Sequence, residues 1–130
     1  MSILKKILIV DDDVISNRVI TATLTAAAYK VESLDNAAAA WELLCQQPHD
    51  YSLVLVDRMM MGMDGMMLLH RIRTHPQFQN LPVVMITGEA EPEEYEAAIA
   101  AGAFDFIYKP IEKELLLSII TKAISHNEKK

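Results

Sequence analysis

Two hydrophobic periods take turns along this chain. Ile7–Val10, Leu53–Val56 and Val83–Ile86 are short, unbroken apolar runs, too short for amphipathic helices and suited to strands buried on both faces. Phe104–Tyr108 makes a further strand, and Lys30–Leu34 a more polar one that fits a sheet edge. Between them the period becomes helical. The first strand, about Lys6–Val10, precedes a helix through Val19, Ile20 and Leu24, and Asn36 can cap an Ala-rich helix over Ala37–Gln46. Gly62 and Gly65 punctuate a loop before a helix over Met66–Arg73. Pro76 and Pro82 bracket the approach to a strand over Val83–Thr87. Pro92, at a first-turn position, opens a helix that ends near Gly102, and Ile111–His126 forms the last helix.

Five βα units in succession, with no repeat, long linker or low-complexity segment, predict an α/β fold. The expectation is one domain over 1–130, with its core at about 5–126. Its five-stranded parallel sheet would be doubly wound in the order 2-1-3-4-5, with helices on both faces.

The apolar runs end on chemistry. The first runs into Asp11, Asp12 and Asp13, the third strand into Asp57, the fourth into Thr87 and the fifth into Lys109-Pro110. Parallel strands put these ends on one edge, where open α/β sheets bind ligands. Crowded carboxylates raise one another's pKa, and a divalent cation relieves that cost. Asp12 and Asp57 can each give an oxygen to Mg2+, with Asp11 holding a coordinated water or a further contact. The bland alternative for Asp11–Asp13 is a solvated loop whose last member caps a helix. Asp57 closes a buried strand, and nucleophilic attack on a phosphoryl donor would account for a carboxylate there. Lys109 would then neutralise charge on the transferred group and Thr87 would donate a hydrogen bond to it.

Of 18 acidic residues four sit at the proposed site, leaving 14 against 12 basic ones. That near-neutral remainder has no basic stripe for nucleic-acid phosphates, so direct nucleic-acid binding is not expected. No apolar stretch reaches the ~18 residues of a membrane span, and Met1–Lys6 lacks a signal-peptide pattern. The single Cys45 cannot form an internal disulfide, which fits a reducing, cytoplasmic location. Trp41, Leu44 and Cys45 share a helical face, which predicts core packing for the thiol.

The segments ILIVDDD at 7–13, LVLVDRMMMGMDG at 53–65, VVMITG at 83–88 and AGAFDFIYKP at 101–110 together resemble the receiver domain of two-component response regulators. The resemblance covers essentially the whole chain and carries the flavodoxin-like strand order. It implies a signalling protein, not an enzyme in the ordinary sense, whose Asp57 accepts phosphate from the phosphohistidine of a sensor histidine kinase or phosphotransfer protein. It makes Asp11 and Asp12 the acidic pair of a Mg2+ site that Asp57 and the backbone carbonyl of Met59 complete. Thr87 becomes the switch hydroxyl, Lys109 the phosphate-binding amine and Phe106 the aromatic switch residue. Activation would draw Thr87 toward the phosphoryl group and let the Phe106 ring move inward. The partner downstream would be an effector protein or a fused output domain. No effector sequence follows His126, so a stand-alone regulator or a piece of a larger protein is expected. The Lys109-Pro110 bond is expected to be cis.

Three positions depart from the family pattern: Met61 stands where proline is usual, Arg58 adds a cation beside Asp57, and Phe106 replaces a frequent tyrosine. Two other readings compete. Asp11-x-Asp13 after a strand resembles the opening motif of haloacid-dehalogenase-like phosphatases, with a threonine and a lysine following in order. The chain lacks their later acidic pair, is short for that fold, and would leave Asp57 without a role. A pseudo-receiver that binds partners without phosphorylation is opposed by the intact Asp57, Thr87 and Lys109.

His49, His70, His75 and His126 lack paired ligand spacing. The Met59–Met61 run with Met63, Met66 and Met67 reads as a pliable packed loop rather than a copper site. Glu91, Glu93, Glu94 and Glu96 read as a solvated helix start that complements the dipole. In the last helix Leu116, Ile119, Ile120 and Ala123 can face the sheet, leaving Leu117 or Ile124 toward the flank. That reads as a wide core face or, alternatively, as a partner surface beside the fifth strand.

Overall fold

The computed structural model describes residues 5–58, 62–88 and 92–128. Its strands are β1 (Lys6–Val10), β2 (Lys30–Leu34), β3 (Tyr51–Asp57), β4 (Val83–Thr87) and β5 (Asp105–Tyr108). They form one parallel sheet in the order β2-β1-β3-β4-β5, the order the alternating pattern predicts. The helices are α1 (Val14–Ala26), α2 (Ala37–Gln46), α3 (Gly65–Thr74), α4 (Pro92–Ala100) and α5 (Lys113–Glu128).

Strand alternation divides the core into two layers. Leu8, Val10, Val54, Val56, Val83, Met85 and Phe106 face α2, α3 and α4, where Ala40, Leu44, Leu68, Ile72 and Ala98 meet them. Ile7, Ile9, Leu53, Leu55, Val84, Ile86 and Ile107 face α1 and α5, against Ile20, Leu24, Leu116, Ile120 and Ala123. The interior strands are therefore apolar on both sides, whereas edge strand β2 keeps Lys30 and Ser33 exposed and its other residues half-buried.

Element ends differ from expectation by a residue or two. β3 runs from Tyr51 to Asp57, so the carboxylate is itself the last strand residue. β5 begins at Asp105, and α3 covers Gly65–Thr74 because Asp64 caps it by accepting from Met67 N. α5 starts at Lys113, after Ile111 and Glu112. A 3-10 turn at Pro76–Phe78, absent from the sequence reading, is capped by His75 Nδ1, which accepts from Gln77 N at 3.1 Å.

Cys45 is corrected: it is exposed, not packed in the core. The buried stripe of α2 is Ala37, Ala40 and Leu44, and the next residue lies about 100° round the helix, off that stripe. Leu117 and Ile124 pack at the margin of the α5 layer, and Leu115 is the exposed residue there. Met63 and Met66 pack against the core while Met67 is half exposed. Met59, Met60, Met61 and Glu91 lie outside the described residues.

Candidate functional site

Register brings the proposed residues together. Val10 pairs with Leu34 and with Val56, so Asp11 and Asp57 follow paired residues and stand level at the C-terminal edge of the sheet. Both continue the α1/α5 face of their strands, and so does Lys109 two residues beyond Ile107. Lys109 Nζ reaches over β4 to lie 3.1 Å from Asp57 Oδ2, 3.3 Å from Asp11 Oδ2 and 3.7 Å from Asp13 Oδ2. Its main chain is anchored by Lys109 N donating to Thr87 O at 2.7 Å, and the peptide to Pro110 is cis, as expected.

Asp11, Asp12 and Asp57 can each offer one carboxylate oxygen, all within 4.8 Å of one another. Asp11 and Asp57 are buried and Asp12 is exposed. Asp11 Oδ1 accepts from Asp13 N at 2.9 Å, while the buried Oδ2 makes no hydrogen bond. Burial is the main cause that pushes the Asp11 carboxyl up to about 6. Proximity to Asp57 adds to it, and the Asp13 N–H and the Lys109 charge oppose it. Burial works against the Lys109 ammonium too. Its hydrogen bond to Asp57 and the charges of Asp11 and Asp57 outweigh that and hold its pKa above the usual lysine value. Asp11 Oδ2, in ion-pair contact with Lys109 but without a hydrogen bond, lies among crowded hard oxygens, a donor set suited to a small divalent cation.

Asp13 is committed elsewhere. It caps α1, accepting from the Ser16 hydroxyl at 3.1 Å, from Ser16 N at 3.4 Å and from Ile15 N at 3.0 Å, and these bonds, those from Ser16 foremost, lower its pKa. Thr87 is fully buried at the end of β4. By alternation it continues Val83 and Met85, so it lies toward the layer that holds Phe106. The Phe106 ring is only 5% exposed, with its centroid 5.9 Å from that of Tyr95 and 5.5 Å from that of Tyr108. It already occupies a buried position without any modification of Asp57.

Arg58 finds its direction. Arg58 N donates to Ile86 O at 2.8 Å, and its guanidinium lies 3.2 Å from the Glu94 carboxylate on α4. Glu94 is thus an ion-pair partner rather than a solvated acid. Gly65 lets α3 start against the end of β3: a Cβ there would fall 2.5 Å from the Asp57 carbonyl oxygen. Met59, the proposed carbonyl ligand, lies outside the described residues.

Residues 7–121 match the profile of the response regulator receiver domain. The chain belongs to that family. The receiver is 34% identical over 113 residues to the response regulator RppA of Synechocystis, covering 87% of this chain and 47% of that protein. It is 38% identical over 112 residues to the 3',5'-cyclic-nucleotide phosphodiesterase regA of Dictyostelium discoideum, covering 85% of this chain and 14% of that one. The chain therefore spans less than half the length of either relative. Among solved structures it is similar to the chemotaxis protein CheY4 of Vibrio cholerae, at 27% identity and TM-score 0.84, covering 93% of this chain and 99% of that one. A CheY-like receiver of Methanospirillum hungatei matches at 30% identity and TM-score 0.84, covering 98% of each chain. No described helix of the receiver is long and apolar enough to cross a membrane.

Proposed function

We propose that this receiver is a phosphorylation-driven switch whose Asp57 takes a phosphoryl group from the phosphohistidine of a sensor histidine kinase or phosphotransfer protein, in a Mg2+-dependent reaction. The observation that carries this reading is the position of Lys109 Nζ, 3.1 Å from Asp57 and 3.3 Å from Asp11. A carboxylate with a cation beside it and further carboxylates opposite can receive a phosphoryl group and hold its charge.

In the transfer an Asp57 carboxylate oxygen bonds to phosphorus, the P–N bond of phosphohistidine breaks, and the imidazole leaves with the electron pair. Lys109 binds a phosphoryl oxygen and Thr87 donates a hydrogen bond to another. Asp11, Asp12 and Asp57 would hold Mg2+, with the Met59 carbonyl as a further ligand. The ion, when bound, neutralises the crowded carboxylates and the incoming phosphoryl oxygens. Val14 and Ile15, 63% and 75% exposed in the first turn of α1, give the neighbourhood of the acidic loop an apolar surface suited to a protein donor. The output would pass through the surface around α4, β5 and α5 to an effector protein or a fused output domain.

Asp13 works against the phosphatase alternative, because its carboxylate is occupied in capping α1. The test is incubation with Mg2+ and acetyl phosphate, read by intact mass. One added phosphoryl group is expected on the wild type and none on Asp57→Asn. Asp13→Ala should still be labelled, while Asp11→Ala and Asp12→Ala should not. Labelling that survives in Asp57→Asn would overturn the assignment.

A further inference from the structure

Asn17 sits in the second turn of α1, where asparagine is a poor helix former. Its amide does not serve the helix. Nδ2 donates to the main-chain carbonyl of Asp11 at 3.1 Å and to that of Leu34 at 3.4 Å. The Thr21 hydroxyl, one turn further on, donates to Asn17 Oδ1 at 3.3 Å. The two carbonyls fix the amide orientation, because a flipped amide would point its oxygen at both carbonyl oxygens and lose those two contacts.

The Asp11 carbonyl belongs to the peptide unit that joins Asp11 to Asp12. A peptide is planar, so holding its oxygen sets the direction in which the Asp12 Cα leaves. The other side of Asp11 is held as well, since Asp11 N donates to Leu34 O at 3.1 Å. Leu34 O thus accepts from both Asp11 N and Asn17 Nδ2, tying the end of β2, the acidic loop and α1 at one point. Asp11 Oδ1 is engaged with Asp13 N, which leaves Oδ2 facing the cluster. Among the described residues, Asn17 is the side chain from outside the acidic loop that holds its main chain, while Lys109 touches Asp11 only at its carboxylate, 3.3 Å from Oδ2.

We propose that Asn17 is a positioning residue for the divalent cation: it orients the Asp11–Asp12 peptide so that both carboxylates meet Asp57 at ligand distance. The proposal rests on the Mg2+-dependent reading above. Groups that orient metal ligands from behind typically change affinity by about 10–100-fold when removed. Asn17 acts through the backbone rather than on a ligand oxygen, so the lower end of that range applies.

The test titrates Mg2+ alone into the protein, by calorimetry and by amide NMR shifts of Asp12 and Asp13. Asn17→Leu, similar in size but without donors, should weaken binding about tenfold. Thr21→Val, which removes only the contact to Asn17 Oδ1, should weaken it less and in the same direction. Ile20→Val, which trims the α1 core without touching the loop, should lower stability and leave Mg2+ affinity unchanged. With acetyl phosphate, Asn17→Leu should label slowly at low Mg2+ and regain the wild-type rate at saturating Mg2+, since Asp57 and Lys109 are untouched. Wild-type Mg2+ affinity in folded Asn17→Leu, or a rate deficit that saturating Mg2+ does not repair, overturns the proposal. A wild type that binds Mg2+ but takes no phosphoryl group would sink the switch reading instead, and the titration would still decide the role of Asn17.

Discussion

Lys109 and Asp57 are in contact although β4 separates their strands: the lysine passes over the end of β4 to put Nζ 3.1 Å from Asp57 Oδ2. In the same place its charge competes with any divalent cation held by Asp11 and Asp57. Lys109→Ala should therefore have effects of opposite sign. Mg2+ affinity should rise several-fold, on the order of 1 kcal/mol for one removed like charge in a partly solvated site. Labelling by acetyl phosphate should fall by about 100-fold, because the transferred group loses its preorganised cation. Parallel titration and intact-mass kinetics check both, and a variant that loses Mg2+ binding would show that the lysine holds the acids in place rather than competing with the ion.

The raised Asp11 carboxyl predicts a pH dependence. Its pKa in the folded protein is about 6, above the ordinary 3.8 of an aspartate, so the folded protein binds this proton more tightly than the unfolded chain does. In metal-free protein, Asp11 contributes stability that is fully present below pH ~4 and is lost as pH rises through ~6, by about 1–2 kcal/mol after allowing for solvent screening. Asp11→Asn should remove this loss, keep the bond from Asp13 N, and raise metal-free stability at pH 7. Since the ligand must be ionised, Mg2+ affinity in the wild type should fall up to about tenfold per pH unit below ~6. Urea midpoints and Mg2+ titrations at pH 7.5, 6 and 5 are the measurements, and flat Mg2+ affinity across that range would contradict the raised value.

Main-chain order was legible in the sequence because it rests on local signals. Continuous apolar runs mark buried strands, and a carboxylate or lysine at the end of such a run stands out against them. That is how Asp11, Asp57 and Lys109 could be singled out and then found level on one face. What escaped was long-range contact between side chains and backbone. Asn17 reaches a carbonyl six residues earlier and another on β2, and nothing in the local pattern around Asn17 announces either. The same holds for Arg58, whose partner Glu94 looked like a solvated helix acid. Cys45 was misplaced because an Ala-rich helix gives little information on the phase of its buried stripe.

Gly102 and Arg73 give a stability test away from the acidic site. Arg73 Nε donates to Gly102 O at 2.9 Å, and its guanidinium also donates to the carbonyls of Phe78, Gln79 and Leu81. Burial lowers its pKa, and no carboxylate pairs with it among the described residues. Gly102 has φ of +108°, and a Cβ there would fall 2.7 Å from the Arg73 side chain. Gly102→Ala should cost about 2–3 kcal/mol through backbone strain and this clash together. Arg73→Ala should cost a similar amount by leaving half-buried carbonyls without their donor. The double variant should cost less than the sum, since the clash disappears with the arginine and only the strain remains. Chemical denaturation decides it, and strict additivity would show that the arginine stem does not limit Gly102.

Signal output should depend on Thr87. The Phe106 ring is already buried at 5% exposure, while Tyr95 and Tyr108, whose ring centroids lie within 6 Å of its own, are 39% and 46% exposed. Inward movement of Phe106 is therefore not available as the main change, and a shift of the Thr87 strand end should be felt by the tyrosines that cover the ring. A phosphoryl group on Asp57 that accepts from the Thr87 hydroxyl has only to favour one of two arrangements separated by a few kcal/mol. NMR of the unmodified and phosphorylated protein should show shifts at Tyr95, Tyr108 and the start of α5, with Phe106 remaining buried. Thr87→Ala should still be labelled on Asp57, more slowly, and should lose most of those shifts. If the labelled variant reproduces them in full, coupling bypasses the hydroxyl, and the pair Arg58–Glu94, which joins the residue after Asp57 to α4 at 3.2 Å, becomes the route to test with Glu94→Gln.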